Sequence, residues 1–464
     1  MSARLFFGRC ALGWVSVVAL AACTAPVSLE RNAPHSIVHP SSVGAIPNSD
    51  DGGWAGYVRP VTGGAGASAL RRHVVRNRAE LIAALSAEDS RLAHEPKIIE
   101  IEGAIDLSVD GHNRALTEES YRDPEFSWSA FEAAYSPATW GKRAPEGPLE
   151  SARVRSARNQ ERVVVVPVGS NTTLVGVGAN ATIKNGGLML RDVENVVIRN
   201  ITFEDAYDYF PAWDPNDNAQ GEWNAAYDNI SLVSARRVWI DFCTFSDGVR
   251  PDRLNRSMFG RPMQFHDGLV DIIRQSDLIT VSNSVFRNHD KVMLIGNSDK
   301  RSEDAGYLRV TLHSNWFDNV KERAPRVRYG KVHVYNNLYT SSLGAEYPYG
   351  YSIGIGVSSK LIAESNAFAL AGDGHARAFR WWGGSEIDAR ENLSLTGNEW
   401  RLIDPLSAPS GRVTGRSSSD VGWRVPYPYS RVSATKLLQQ LASSAGAGTS
   451  YAQARIRAQT DKRM

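Results

Sequence analysis

RVTLHSNWF (309–317) and KVHVYNNLY (331–339) decide how this chain folds. Each alternates β-branched and polar residues, meets an Asn and closes on an aromatic, with Phe317 and Tyr339 22 residues apart. The same phrase recurs upstream as NVVIRNITF (195–203), RVWIDFCTF (237–245) and LITVSNSVF (278–286), and downstream as SKLIAESNAF (359–368). One strand set per ~20–30 residues, with no long helix between sets, predicts coils stacked as a parallel β-helix. A sandwich is the alternative; a propeller would need more regular spacing. Aligned Asn315, Asn337 and Asn366 predict an internal amide ladder, although singly they read equally as turn formers.

Outward from this core, RNRAELIAALSAE (76–88) has helical periodicity and HEPKIIEIEGAIDL (95–108) a strand-like apolar run. The folded body therefore starts near GGWAGY (52–57). Residues 109–160 carry PEFSWSAFEAAY and PLESARVRSARNQ, helix-like pieces that read as an insertion. At the N-terminus, Arg4 and Arg9 precede an apolar run that ends in Leu20-Ala21-Ala22-Cys23. This is an export signal, with Cys23 as the lipidated residue of a bacterial lipobox or an ordinary cleavage site nearby. The expected division is a signal peptide (1–22), a flexible tether (23–50), a β-helix body (51–450) and a tail (451–464). The mature protein is exported on either reading, and a lipid anchor is its only expected membrane contact. Cys243 is left as a small buried hydrophobe.

Across 464 residues, 52 basic and 50 acidic side chains give a net charge of +2, so any basic site must be local. That balance and export argue against a nucleic-acid partner. KERAPRVRYG (321–330) gathers three arginines in ten residues. Pro325 argues against a regular strand through 323–326 and allows Arg323 and Arg328, five apart, to converge. Guanidinium forks suit carboxylates or phosphates; ion pairing with nearby acids is the alternative. In HDGLVDI (266–272), Asp267 and Asp271 are four apart and would share one face of a strand. Asp228, in EWNAAYDNISL, could join them from the adjacent coil. Three carboxylates without a Cys/His set suit Ca²⁺, while the Asp267-Gly268 pair reads equally as a turn. In RNHDKVMLIGNSD (287–299), Lys291 reads as a solvated strand end and His289 as a structural group or a general base.

Several stretches together resemble the extracellular pectate lyases of polysaccharide lyase family 1: VWIDFCTFSDG, DGLVDIIRQSDLITVSNSVFRNHDKVMLIGNSD, RAPRVRYGKVHVYNN, ITFEDAYDYFPAWDPND and AGAG (445–448). The similarity covers roughly residues 52–450. It implies an all-β, right-handed parallel β-helix with helical excursions. It also implies a monomeric, secreted or outer-membrane enzyme that cleaves polygalacturonate by Ca²⁺-dependent β-elimination. Carried over motif by motif, Asp228, Asp267 and Asp271 would hold Ca²⁺ and Lys291 a substrate carboxylate. Arg323 would take the C5 proton and Arg328 would bind the acid group beside it; Arg326 has no equally clear family assignment and reads as structural, paired with an acid under the loop.

An arginine base conflicts with a guanidinium pKa above about 12. Two nearby cations and Ca²⁺ are expected to lower that value, and an alkaline rate maximum follows. Two positions depart from the family: Phe242 replaces a usual His, and Ala226 stands where some members carry a further acid. The rival activities are a Ca²⁺-independent pectin lyase on methyl-esterified pectin and a non-catalytic β-helix that binds carbohydrate. Neither has a use for the full set of aspartates, lysine and arginines.

Overall fold

Each repeated phrase folds as two short strands joined at one sharply bent residue. Val310–His313 and Trp316–Glu322 turn at Ser314 (φ 56°), and Lys331–Tyr335 and Leu338–Thr340 turn at Asn336 (φ 52°). Lys360–Glu364 and Ala367–Ala369 turn at Ser365 (φ 51°). A left-handed non-glycine residue costs about 1–2 kcal/mol, and the Asn that follows offsets it by hydrogen bonding along the stack. The computed structural model describes residues 52–85, 92–407, 410–414, 417–450 and 452. The signal peptide, the tether, Cys23 and nearly all of the tail lie outside those residues.

A third strand completes each coil, and nine of these stack as one parallel sheet from Val165–Pro167 to Gly411–Arg412. The other strands join an eighteen-stranded sheet, parallel except where Leu393–Thr396 meets Glu399–Leu402. The architecture is the expected right-handed parallel β-helix, not a sandwich or propeller.

Two ladders fill the interior. Phe203, Phe245, Phe286, Phe317, Tyr339 and Phe368 stack ring on ring at 4.6–5.2 Å. Burying each such ring contributes roughly 1.5–3 kcal/mol. Beside them the backbone N–H and Nδ2 of Asn315 both donate to Asn337 Oδ1 at 3.0 Å. Asn337 repeats this to Asn366 at 3.0 Å, and Asn366 Nδ2 donates to Asn392 at 2.8 Å. The ladder thus runs one coil beyond the three asparagines expected. Cys243 is buried and free, as its sequence context suggested.

The helix Arg78–Leu85 and the strand Lys97–Asp106 form where periodicity placed them. Residues 109–160 carry the helices Glu118–Tyr121, Trp128–Tyr135 and Pro137–Trp140 and most of Pro148–Val164, packed on a separate aromatic core that includes Phe131 and Trp223. Both ends of the described body reach the same threonine. Thr311 Oγ1 accepts from the Trp54 N–H at 2.9 Å and bonds the Tyr427 hydroxyl at 2.6 Å, and the two rings lie 5.5 Å apart.

Candidate active site

The predicted residues sit on neighbouring coils, Asp228, Asp267, Asp271 and Arg328 in or beside strands of the nine-stranded sheet and Lys291 and Arg323 at the ends of strands of the larger one. Asp228 precedes the strand Ile230–Val233, and Ser231 of that strand pairs in register with Asp271 of Val270–Ile273. Asp228 Oδ2 accepts from the Ser231 hydroxyl at 2.6 Å and Oδ1 from the Gly268 N–H at 2.9 Å. Asp271 Oδ1 accepts from the Leu294 N–H at 2.9 Å. The position a Cβ would take on Gly268 lies 2.7 Å from Asp228 Oδ1 and 2.8 Å from Asp271 Oδ1. Only glycine lets the two carboxylates approach the backbone there.

Asp267 Oδ1 lies 3.0 Å from Lys291 Nζ. The three aspartates do not bring one oxygen each within 4.8 Å of the others. Their charges still act on one another. Burial, then Asp267, pushes the Asp228 carboxyl up; burial, then Asp228, pushes Asp271 up. Two half-compensated carboxylates over a side-chain-free backbone, with a third beside them, fit a hard oxygen-seeking cation such as Ca²⁺.

Lys291 ends the strand Val285–Lys291 and is tucked in rather than solvated, its side chain only 11% exposed. Burial pulls its ammonium down, but Asp267 outweighs this and holds it above the ordinary lysine value. Arg323 follows the strand Trp316–Glu322 in a left-handed conformation (φ 61°), the same bend that turns the coils. Its Nε donates to Glu322 Oε1 at 3.2 Å. Arg328 follows Arg326–Val327 and donates to Asp299 Oδ1 at 2.5 Å and to the Gly296 carbonyl at 2.9 Å. Arg323 thus leaves a strand of the eighteen-stranded sheet and Arg328 one of the nine-stranded sheet, and Arg326, expected in a loop, is itself in a strand.

Two electrostatic expectations need correction. Burial pulls the Arg323 guanidinium down, but Glu322, Tyr351, Asp271 and Asp267 together hold it above the ordinary arginine value. Within the chain, acids outweigh the neighbouring cations. Arg326 pairs with no acid among the described residues; its guanidinium lies 4.5 Å from the Trp382 ring centre. It has a planar, weakly hydrated face for stacking, and no carboxylate lies within ion-pair reach.

Sequence reasoning missed the groups behind the site. His289 is buried, so it is no general base for a bound substrate. Its Nδ1 lies 2.6 Å from Asp247 Oδ1, and its Nε2 lies 2.9 Å from the Asp267 carbonyl and 3.0 Å from that of Lys291. Burial alone would lower its pKa, but Asp247 raises it, which suits a ring that donates from both nitrogens. Tyr347 donates to the other Asp247 oxygen at 2.5 Å. Asp247, Asp252 and His266 form the tightest ligand-type group among the described residues. His266 is pushed up to about 10, with burial opposed by Asp247 and Asp205. Asp208, also missed, is buried beneath the Ala226 N–H at 3.0 Å and pushed up to about 6, mainly by burial. Partners so distant in sequence leave no local pattern. Phe242, in place of the usual His, is fully buried, which fits a packing role. The insertion helix Pro148–Val164 walls a cavity of about 320 Å³ whose lining includes Asp208 and Asp228.

The pectate lyase family model matches residues 149–450. A pectate lyase of Bacillus subtilis (strain 168) is 41% identical over 397 residues, 85% of this chain and 91% of its own length. Among solved structures, the thermostable pectate lyase PL 47 superimposes with a TM-score of 0.84 at 43% identity, covering 88% of this chain and 99% of that one. A pectate lyase bound to a hexasaccharide does so at 0.81 and 39% identity, covering 87% and 98%. A family model over residues 149–450 and a relative 41% identical over 85% of the chain leave one assignment: the chain belongs to the pectate lyase family.

Proposed function

We propose that this chain is a lyase that cleaves α-1,4-linked polygalacturonate by β-elimination and releases 4,5-unsaturated oligogalacturonides. One observation carries the reading: a carboxylate pair over Gly268 stands with Asp267, Lys291 and Arg323 in one electrostatically linked group on neighbouring coils. Asp228, Asp267 and Asp271 would hold Ca²⁺. Bound there, the ion supplies positive charge to a substrate carboxylate.

Lys291 and Arg328 bind the uronate carboxylates and fix the ring. Their charge stabilises the electron density that builds on the carboxylate as C5 loses its proton. Arg323 accepts that proton, the C4–O4 bond breaks, and the departing oxygen takes a proton from water. For this, Arg323 must first be neutral. With Asp267 and Asp271 committed to a cation, two of the acids that hold its pKa up are withdrawn, and burial pulls it down. An alkaline rate maximum follows.

Incubation with polygalacturonate, with Ca²⁺ or with a chelator, tests the reading by the ultraviolet absorbance of the unsaturated product. Absorbance is expected with Ca²⁺ only. None under either condition sinks the lyase reading; absorbance indifferent to chelator favours a pectin lyase. Export as a monomeric protein, acylation at Cys23 and the division into signal, tether, body with insertion, and tail belong to the same proposal. Labelled palmitate should enter the intact chain and not a Cys23→Ser variant.

A further inference from the structure

Arg328 does not end the row of cations on its sheet. Arg326 pairs in register with Gly354, which pairs with Arg380, and Trp382 pairs with Arg412. In the strand Phe379–Trp382, Phe379 and Trp381 face the core, so Arg380 and Trp382 face outward. The intervening strand Ile353–Gly356 likewise sends both isoleucines inward and both glycines outward. A Cβ on Gly354 would lie 3.1 Å from Arg326 Cγ, and one on Gly356 would lie 3.1 Å from Arg328 Cγ. The missing side chains let Arg326 cross that strand to the Trp382 indole. The guanidinium groups of Arg326 and Arg380 sit 4.5 and 4.7 Å from its ring centre.

These cations differ from those at the reaction centre. Arg323 has Glu322 and Arg328 has Asp299, but no acid among the described residues lies within 4.0 Å of Arg326, Arg380 or Arg412. Nε of Arg326, Nε of Arg380 and Nε1 of Trp382 are buried without a hydrogen-bond partner. Burial, then Arg328, pulls the Arg326 pKa down, a sign of uncompensated positive potential. Cations without acid partners along the outer face of the sheet match a chain of acidic sugars with one carboxylate per residue.

We propose that Arg380, Trp382 and Arg412, continued from Arg326, form a distal binding site for galacturonate units beyond those at the reaction centre. The guanidinium groups take the carboxylates, and the indole holds Arg326 and Arg380 in place. This rests on the lyase reading above.

The test compares kcat/KM on hexagalacturonate and trigalacturonate for the wild type, Arg380→Gln, Arg412→Gln and Trp382→Phe, alongside calorimetric binding of the hexamer. Losing one charge-assisted contact is expected to lower the hexamer-to-trimer ratio about tenfold in either arginine variant, through KM. A smaller fall is expected for Trp382→Phe. Wild-type turnover with an unchanged ratio in all three variants overturns the distal site. So does a parallel fall on both substrates, which marks damage to the fold. Hexamer binding that weakens in Arg380→Gln, with no wild-type turnover, keeps the distal site and sinks the lyase reading.

Discussion

The asparagine ladder and the aspartate cluster lie within a few coils of each other, and both remove polar groups from water. In the ladder the amide oxygens of Asn337, Asn366 and Asn392 each accept from the asparagine of the preceding coil. In the cluster, carboxylates face one another and their pKa values are driven up. Satisfied polarity is scaffold. Polarity left in conflict marks where something else is meant to bind, and its cost falls on the folded state.

The largest expected effect would sharpen the contrast from the site's side. Arg323→Lys should lower kcat by about a thousandfold, the scale of losing a placed proton acceptor, with an unchanged unfolding midpoint. Full activity in the ultraviolet assay would overturn the base assignment. The converse change breaks the scaffold. Asn337→Leu strands both donors of Asn315 and should cost about 2–4 kcal/mol in urea unfolding, while kcat on polygalacturonate stays within about twofold.

The third change is smaller and opposite in sign. Asp228→Asn should stabilise the protein by about 1 kcal/mol at pH 8 in chelator, because it removes one of two repelling charges. A carboxyl whose folded pKa is raised contributes stability below its unfolded value and loses it as pH climbs through the folded one. The variant's advantage should therefore shrink on acidification toward pH 4. A midpoint lowered by the substitution at pH 8 would break the comparison.

The fold was legible because a solenoid repeats its local rule. Alternation, a bent residue, Asn and an aromatic recur in each coil, so Asn315, Asn337 and Asn366 could be aligned by eye. Asn392 escaped because its phrase, ARENLSL, has no closing aromatic. The site was legible mainly through family motifs, since spacing alone left Asp267 and Asp271 open to a turn. The groups that set its electrostatics lie far away in sequence: Asp247 stands 42 residues from His289 and Asp299 29 from Arg328. Arg326 looked like an ion-pairing residue, and nothing near it foretold the Trp382 ring on the second strand along.

Thr311 holds one further consequence. A stack of coils joined only to neighbours should fray from either end, since each terminal coil has a single partner. Here residues from the start and end of the described body, Trp54 and Tyr427, are fastened to the same central rung. Segments from before and after the coils are thereby tied to one strand in their midst. Unfolding should then be all-or-none, and a chain nicked in a surface loop should hold together as one particle.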